Sequence, residues 1–202
     1  AILSIRASDP ELLKNQDPES VSSYERANRL ELKPLMGKIM GSQVNWCLVS
    51  VPVQGWAAKL FPKDKSEKQM QKLWAAILKT VRADQPNTIA NWQKHLKVLQ
   101  ARRAYLNKKQ YKALNYSSSG TDLTVGLAKN HIWLGGTQES QDGITYVANL
   151  PTEEVFTAPD KNITEGVVRS TKPLAYAGNL IDSFELTFKS GKVIKAKAKK
   201  GD

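Results

Sequence analysis

Along the first half of the chain apolar residues recur mostly three and four positions apart, and along the second half they come in short runs broken by turns. Ala1 to Ala7 reads as a strand. Asp9-Pro10 and Asp17-Pro18 have the form of a cap followed by a first-turn proline, and they lead into a helical stretch reaching about Gly41. A second strand is expected over Val44 to Val51. Pro52 then opens a turn, and Trp56 to Phe61 makes a short apolar helix closed by Pro62. Asp64 is placed to cap the next helix, with Glu67 three residues on, and Met70, Leu73, Trp74, Ile77, Leu78 and Val81 trace one face of it. Ile89, Trp92, Leu96 and Leu99 define a further helix, and the tryptophans read as core anchors.

From Lys109 onward the pattern changes to strands: Lys112 to Tyr116, Thr121 to Ala128, and His131 to Gly135, the last two joined by Lys129-Asn130. Gly166 to Thr171 reads as another. Leu180 to Phe188 and Lys192 to Ala198 follow, joined by Ser190-Gly191, which has the form of a tight hairpin turn. The expected fold class is α/β followed by a mainly antiparallel β region, dividing into residues 1–108 and 109–202.

At 202 residues the chain is long enough to bury roughly 70% of its unfolded surface without a covalent staple. Its single cysteine, Cys47, excludes an internal disulfide and lies in an apolar run, as a buried structural thiol would. No apolar stretch approaches the ~20 residues of a membrane span and no signal peptide is visible, so a cytoplasmic protein is the expectation. Ala1 enters Ile2-Leu3-Ser4-Ile5 with no initiator methionine and no polar lead-in, which suits a fragment of a longer protein. Gly201-Asp202 directly after a strand suits a domain edge or a cut equally.

Charge adds one alternative. Thirty Lys+Arg stand against 19 Asp+Glu, a formal net charge of +11. Much of the excess lies in the last strand, where Lys195, Lys197 and Lys199 share one face. Such a row commonly keeps an exposed strand soluble and unpaired. It also admits a basic nucleic-acid or anion-binding module, although the low aromatic content provides no stacking platform.

Few residues are placed for chemistry. His95 lies beside the apolar face of a helix and His131 follows a tight turn, so each reads as a packing or hydrogen-bonding residue rather than a base. Ser117-Ser118-Ser119-Gly120-Thr121 lacks the Lys-Ser/Thr of a nucleotide loop and reads as a connection. Asp122, Asp142 and Asp160 are isolated at turns or strand ends. The remaining candidates are Glu153 and Glu154, adjacent acids held between Pro151 and Pro159. If a strand carries them they point to opposite sides, and an inward carboxylate needs a partner such as a cation. They are either metal ligands or an ordinary surface pair opposite some of the many lysines.

Read with its neighbours, this segment resembles a known family. Asn149-Leu150-Pro151-Thr152-Glu153-Glu154-Val155-Phe156-Thr157-Ala158-Pro159, followed by Gly166-Val167-Val168-Arg169-Ser170-Thr171-Lys172-Pro173-Leu174, resembles the metal-dependent aminopeptidase T and aminopeptidase S (PepS) family. Gly120-Thr121-Asp122-Leu123-Thr124-Val125-Gly126-Leu127, His131-Ile132-Trp133-Leu134-Gly135-Gly136, Ala7-Ser8-Asp9-Pro10 and Pro52-Val53-Gln54-Gly55-Trp56-Ala57 are similar to it in the same order.

The resemblance implies a cytoplasmic homodimeric exopeptidase that removes N-terminal residues from peptides with a free N-terminus, using two divalent ions, zinc, cobalt or manganese. Those ions would activate a water, polarise the scissile carbonyl and hold the free amine. It implies Glu154 as a metal ligand, with Glu153 hydrogen-bonded or facing solvent. The family's other ligands, a glutamate, two histidines and an aspartate, and an active-site tyrosine, are expected beyond the end of this chain, so no catalytic residue is assigned within it. The implied architecture is an incomplete N-terminal α/β domain joined to the β-rich first part of the catalytic domain. A relative that keeps the fold but has lost its metals is the third possibility.

Overall fold

The computed structural model describes residues 1–9, 11–176 and 179–200. Pro10 of the expected cap pair and the Gly201-Asp202 end lie outside the described residues. The helices are α1 (Pro18–Glu31), α2 (Lys33–Met40), α3 (Gln54–Leu60), α4 (Ser66–Thr80) and α5 (Thr88–Lys109). The longer strands are β1 (Ile2–Arg6), β2 (Trp46–Ser50), β3 (Ala113–Ser118) and β4 (Thr121–Leu127). Short strands follow, β5 (Leu134–Gly135), β6 (Gln138–Glu139), β7 (Thr145–Tyr146), β8 (Asn149–Leu150) and β9 (Val155–Phe156). The last are β10 (Pro159–Arg169), β11 (Leu174–Tyr176), β12 (Asn179–Ile181), β13 (Glu185–Lys189) and β14 (Lys192–Lys197). The fold is thus mixed α/β with a mainly antiparallel second sheet. No helix of the described residues is long and apolar enough to cross a membrane.

The chain forms two compact units, one of residues 1–15, 23–102 and 135–155, the other of residues 16–22, 103–134 and 156–202. The first is built on a parallel sheet of order β1-β2-β8. Its register pairs Leu3 with Cys47, Ile5 with Val49, and Val49 with Leu150. Around it the core is filled by Ala57 of α3, Leu73 of α4 and Leu99 of α5, all buried. Burying a leucine side chain fully stabilises by about 1.5–3 kcal/mol. The buried amide of Gln69 ties α3 to α4: its oxygen accepts from Gln54 at 2.6 Å, and its nitrogen donates to the carbonyls of Phe61 and Asp64 at 3.1 and 2.9 Å. Every polar atom of that side chain is therefore matched, as burial requires.

The second unit carries an antiparallel sheet of order β14-β13-β10-β4-β3. The Ser117–Thr121 segment is the β3–β4 hairpin, with Ser118 opposite Thr121. Ser190 and Gly191 join β13 to β14 with φ of 49° and 76°, the left-handed pair that a two-residue hairpin requires. Gly191 donates to the Thr164 carbonyl at 3.0 Å, and a side chain there would run into the Lys161 carbonyl. β14 is an exposed edge strand with a bulge against β13, and Lys197 pairs with Glu185 at 2.9 Å. A lysine-bearing, bulged edge resists pairing with another chain.

Several expectations are corrected. The helical stretch before Gly41 is broken at Leu32 because Pro34 lacks an N–H and crowds the preceding turn. Asp17 does cap α1, accepting from Ser20 N at 2.8 Å. Asp64 caps nothing; its carboxylate is drawn to Lys72, with Lys68 at 3.5 Å, and the N-cap position of α4 is Lys65. Trp74 and Leu78 are largely exposed, and Ile89 is 76% exposed. Cys47 is half-buried rather than buried, although desolvation still raises its thiol above the ordinary value.

The strand expected from His131 begins only at Leu134, because Asn107 captures both the N–H and the carbonyl of Trp133, at 2.7 and 3.0 Å. Leu180 to Phe188 is interrupted at Ser183, where φ is 51°. Of the strand expected over Gly166 to Thr171, Gly166 to Arg169 form the end of the much longer β10, and Ser170 and Thr171 lie past it.

Candidate metal-binding segment

Asn149 and Leu150 hydrogen-bond beside β2 as β8, and the chain then leaves the sheet, so Thr152, Glu153 and Glu154 lie on irregular backbone before β9. The alternating geometry expected of two acids on a strand is therefore absent. What separates the two carboxylates instead is their contacts.

Arg82 Nη1 stands 2.6 Å from Glu153 Oε1, and His95 Nε2 is 3.5 Å from Glu153 Oε2. His95 Nε2 is also 2.7 Å from the Thr152 carbonyl, while Arg82 Nη2 is 3.4 Å from His95 Nδ1. A neutral imidazole with its proton on Nε2 satisfies both of these contacts, donating to Thr152 and accepting from Arg82. Trp92 completes the cluster: its Nε1 donates to the Val81 carbonyl at 2.8 Å, its ring lies 5.5 Å below the Arg82 guanidinium and it meets His95 edge-on at 5.6 Å. The Arg82 guanidinium beside Glu153 holds that carboxyl below the usual carboxylate range, against an opposing effect of partial burial.

Glu154 is different. Its side chain is exposed and takes part in no hydrogen bond or ion pair among the described residues, while its backbone carbonyl is packed against Gly135, where φ is +135° and a Cβ would collide with it. A hard oxygen donor on fixed backbone, with no competing partner among the described residues, fits as one ligand of a divalent ion. It fits as one ligand only: among the described residues no group of three His, Cys, Asp or Glu side chains converges to hold an ion.

The other sequence candidates are structural. His131 is buried, with Nδ1 3.0 Å from the Ala128 carbonyl, and Asp160 accepts from Asn162 N at 2.9 Å. Cys47, Asp122 and Asp142 join no such cluster. Arg82 was not foreseen. It sits just past the C-cap Val81 of α4, at a φ of 58° more often taken by glycine or asparagine, and no residue type in the sequence signals that placement.

Comparison with known proteins assigns the mixed α/β scaffold to a family. The model of the family described as thermophilic metalloprotease (M29) matches residues 1–202, and the chain belongs to that family. It is 44% identical to aminopeptidase 2 of Geobacillus stearothermophilus over 201 residues, 100% of this chain and 49% of that protein. It is 40% identical to aminopeptidase T of Thermus aquaticus over 202 residues, 100% of this chain and 50% of that protein. The structure of wild-type AmpT from Thermus thermophilus superposes with a TM-score of 0.90 at 39% identity, covering 100% of this chain and 49% of that one. The chain thus spans about half the length of the relatives it matches. These relatives lend no support to the nucleic-acid alternative.

Proposed function

We propose that this chain is the central part of a metal-dependent aminopeptidase and contributes Glu154 as one ligand of a two-ion centre, with the remaining ligands supplied by the rest of the protein. The observation that carries the reading is the contrast within one dipeptide: Glu153 is engaged by Arg82 and His95, while the Glu154 carboxylate has no partner among the described residues. Membership of a metalloprotease family and the names of the relatives support the reaction class.

When bound, the ions, zinc, cobalt or manganese, supply Lewis-acid activation of water and of a peptide carbonyl. This chain's own part is to present a carboxylate on backbone that does not need to be ordered at the moment of binding, which lowers the cost of assembling the site. The substrate is a peptide with a free N-terminus, and the full-length protein is a cytoplasmic homodimer. By itself the chain offers a single monodentate ligand, which binds metal weakly and supports no turnover.

The test uses a leucine chromogenic amide with added cobalt or zinc, applied to this chain and to the full-length protein carrying it. Metal-dependent release by the full-length protein and none by this chain is expected. Absence of release from both sinks the proposal.

A further inference from the structure

The contacts that hold the Glu154 backbone all come from other residues. His95 fixes the carbonyl two residues upstream at Thr152, Arg82 contacts the side chain of Glu153, and Gly135 backs the carbonyl of Glu154 itself. We infer that Arg82 is a positioning residue for the metal-ligand carboxylate: by gripping Glu153 it selects Glu154, and not its neighbour, as the donor presented to a divalent cation. The inference rests on the reading of Glu154 as a ligand.

Two considerations carry it. Glu153 is 58% exposed, and ion pairs of such exposure usually add little to stability, so stability alone gives little reason for so elaborate a partner. Arg82 is itself held on several sides: it stands over Trp92, reaches His95 Nδ1, and occupies the left-handed position that closes α4.

The second consideration is chemical. Two free adjacent carboxylates would offer a cation alternative sites with different geometry. The Arg82 guanidinium engages one of them through a single nitrogen, Nη1 against Glu153 Oε1, and so removes the competitor and fixes the chain rotation that aims the other.

The experiment measures cobalt(II) affinity of the full-length protein by competition with a chromophoric chelator, for the parent, Arg82→Met, Arg82→Lys, Glu153→Gln and Glu154→Gln, with thermal unfolding of each apoprotein. Arg82→Met and Glu153→Gln are expected to bind about 10–100-fold more weakly, the range typical of lost outer contacts to metal ligands. Their apoprotein unfolding temperatures stay close to the parent's, and Arg82→Lys recovers part of the affinity. Parental affinity in both variants, with an ion still lost from Glu154→Gln, overturns the inference and leaves the ligand reading standing. Full metal content in Glu154→Gln overturns the ligand reading itself. Should Arg82→Met fail to fold, Glu153→Gln decides, because it preserves size at an exposed position; a loss of affinity there that merely follows a loss of unfolding temperature also overturns the inference.

Discussion

The Nε2 atom of His95 lies 2.7 Å from the carbonyl oxygen of Thr152, a residue 57 positions further along the chain. It joins the middle of α5 to the candidate ligand segment through a partly buried hydrogen bond. His95→Phe keeps the ring and removes the donor, leaving the carbonyl without its partner. A destabilisation of about 1–3 kcal/mol is expected, read from the urea midpoint at unchanged slope. A midpoint equal to the parent's would show that the bond is not formed in solution.

Leu99 and Ile89 stand on one helix with opposite surroundings, the first wholly buried and the second 76% exposed. Leu99→Ala is expected to cost about 2–5 kcal/mol through lost transfer energy and the cavity left behind. Ile89→Ala is expected to stay within about 0.5 kcal/mol of the parent. Equal effects in chemical denaturation would contradict the packing of α5.

The carboxyl of Asp64 is held below its ordinary value chiefly by its hydrogen bond from Lys72, with a weaker attraction from Lys68. A carboxyl depressed in the folded state stabilises fully above the ordinary carboxylate range, and that contribution is lost as pH falls through the folded value. Asp64→Asn should therefore be less stable than the parent near neutrality and converge with it in strong acid. Urea titrations across that interval measure the two curves; parallel curves would contradict the assignment.

At the β13–β14 turn, Gly191→Val places a β-branched side chain at a positive φ and against the Lys161 carbonyl. It is expected to destabilise by at least about 1 kcal/mol. Ser190→Gly, where φ is already positive, is expected to be tolerated. Thermal unfolding of the two variants gives the comparison.

The helices α3 and α4 and the turns flanking β4 and β13 were legible because their signals are local: apolar spacing of three and four, and residues that accept left-handed backbone. The exposure of Trp74 and Ile89 was not, since the pattern tells which side of a helix is apolar and not whether anything covers it. The start of β10 was hidden because Asp160, Lys161 and Asn162 are poor strand formers, overridden by pairing of Pro159 with Leu127 beside a bulge. At the candidate site the sequence picked out the acid pair, and resemblance preferred Glu154. Neither could expose Arg82, whose contact with Glu153 depends on a chain reversal after α4 that residue types alone do not announce.

Gly135 carries no chemistry, yet the carbonyl oxygen of Glu154 lies only 2.5 Å from where a Cβ on Gly135 would stand. The reach of the carboxylate is therefore set by a missing atom on another stretch of chain. On the proposed reading of Glu154 as a ligand, substituting the acid changes what is offered to an ion, and adding a single methyl at Gly135 would change where it is offered. Tuning of this centre is thus open to mutation at a residue that no inventory of metal-binding side chains would visit.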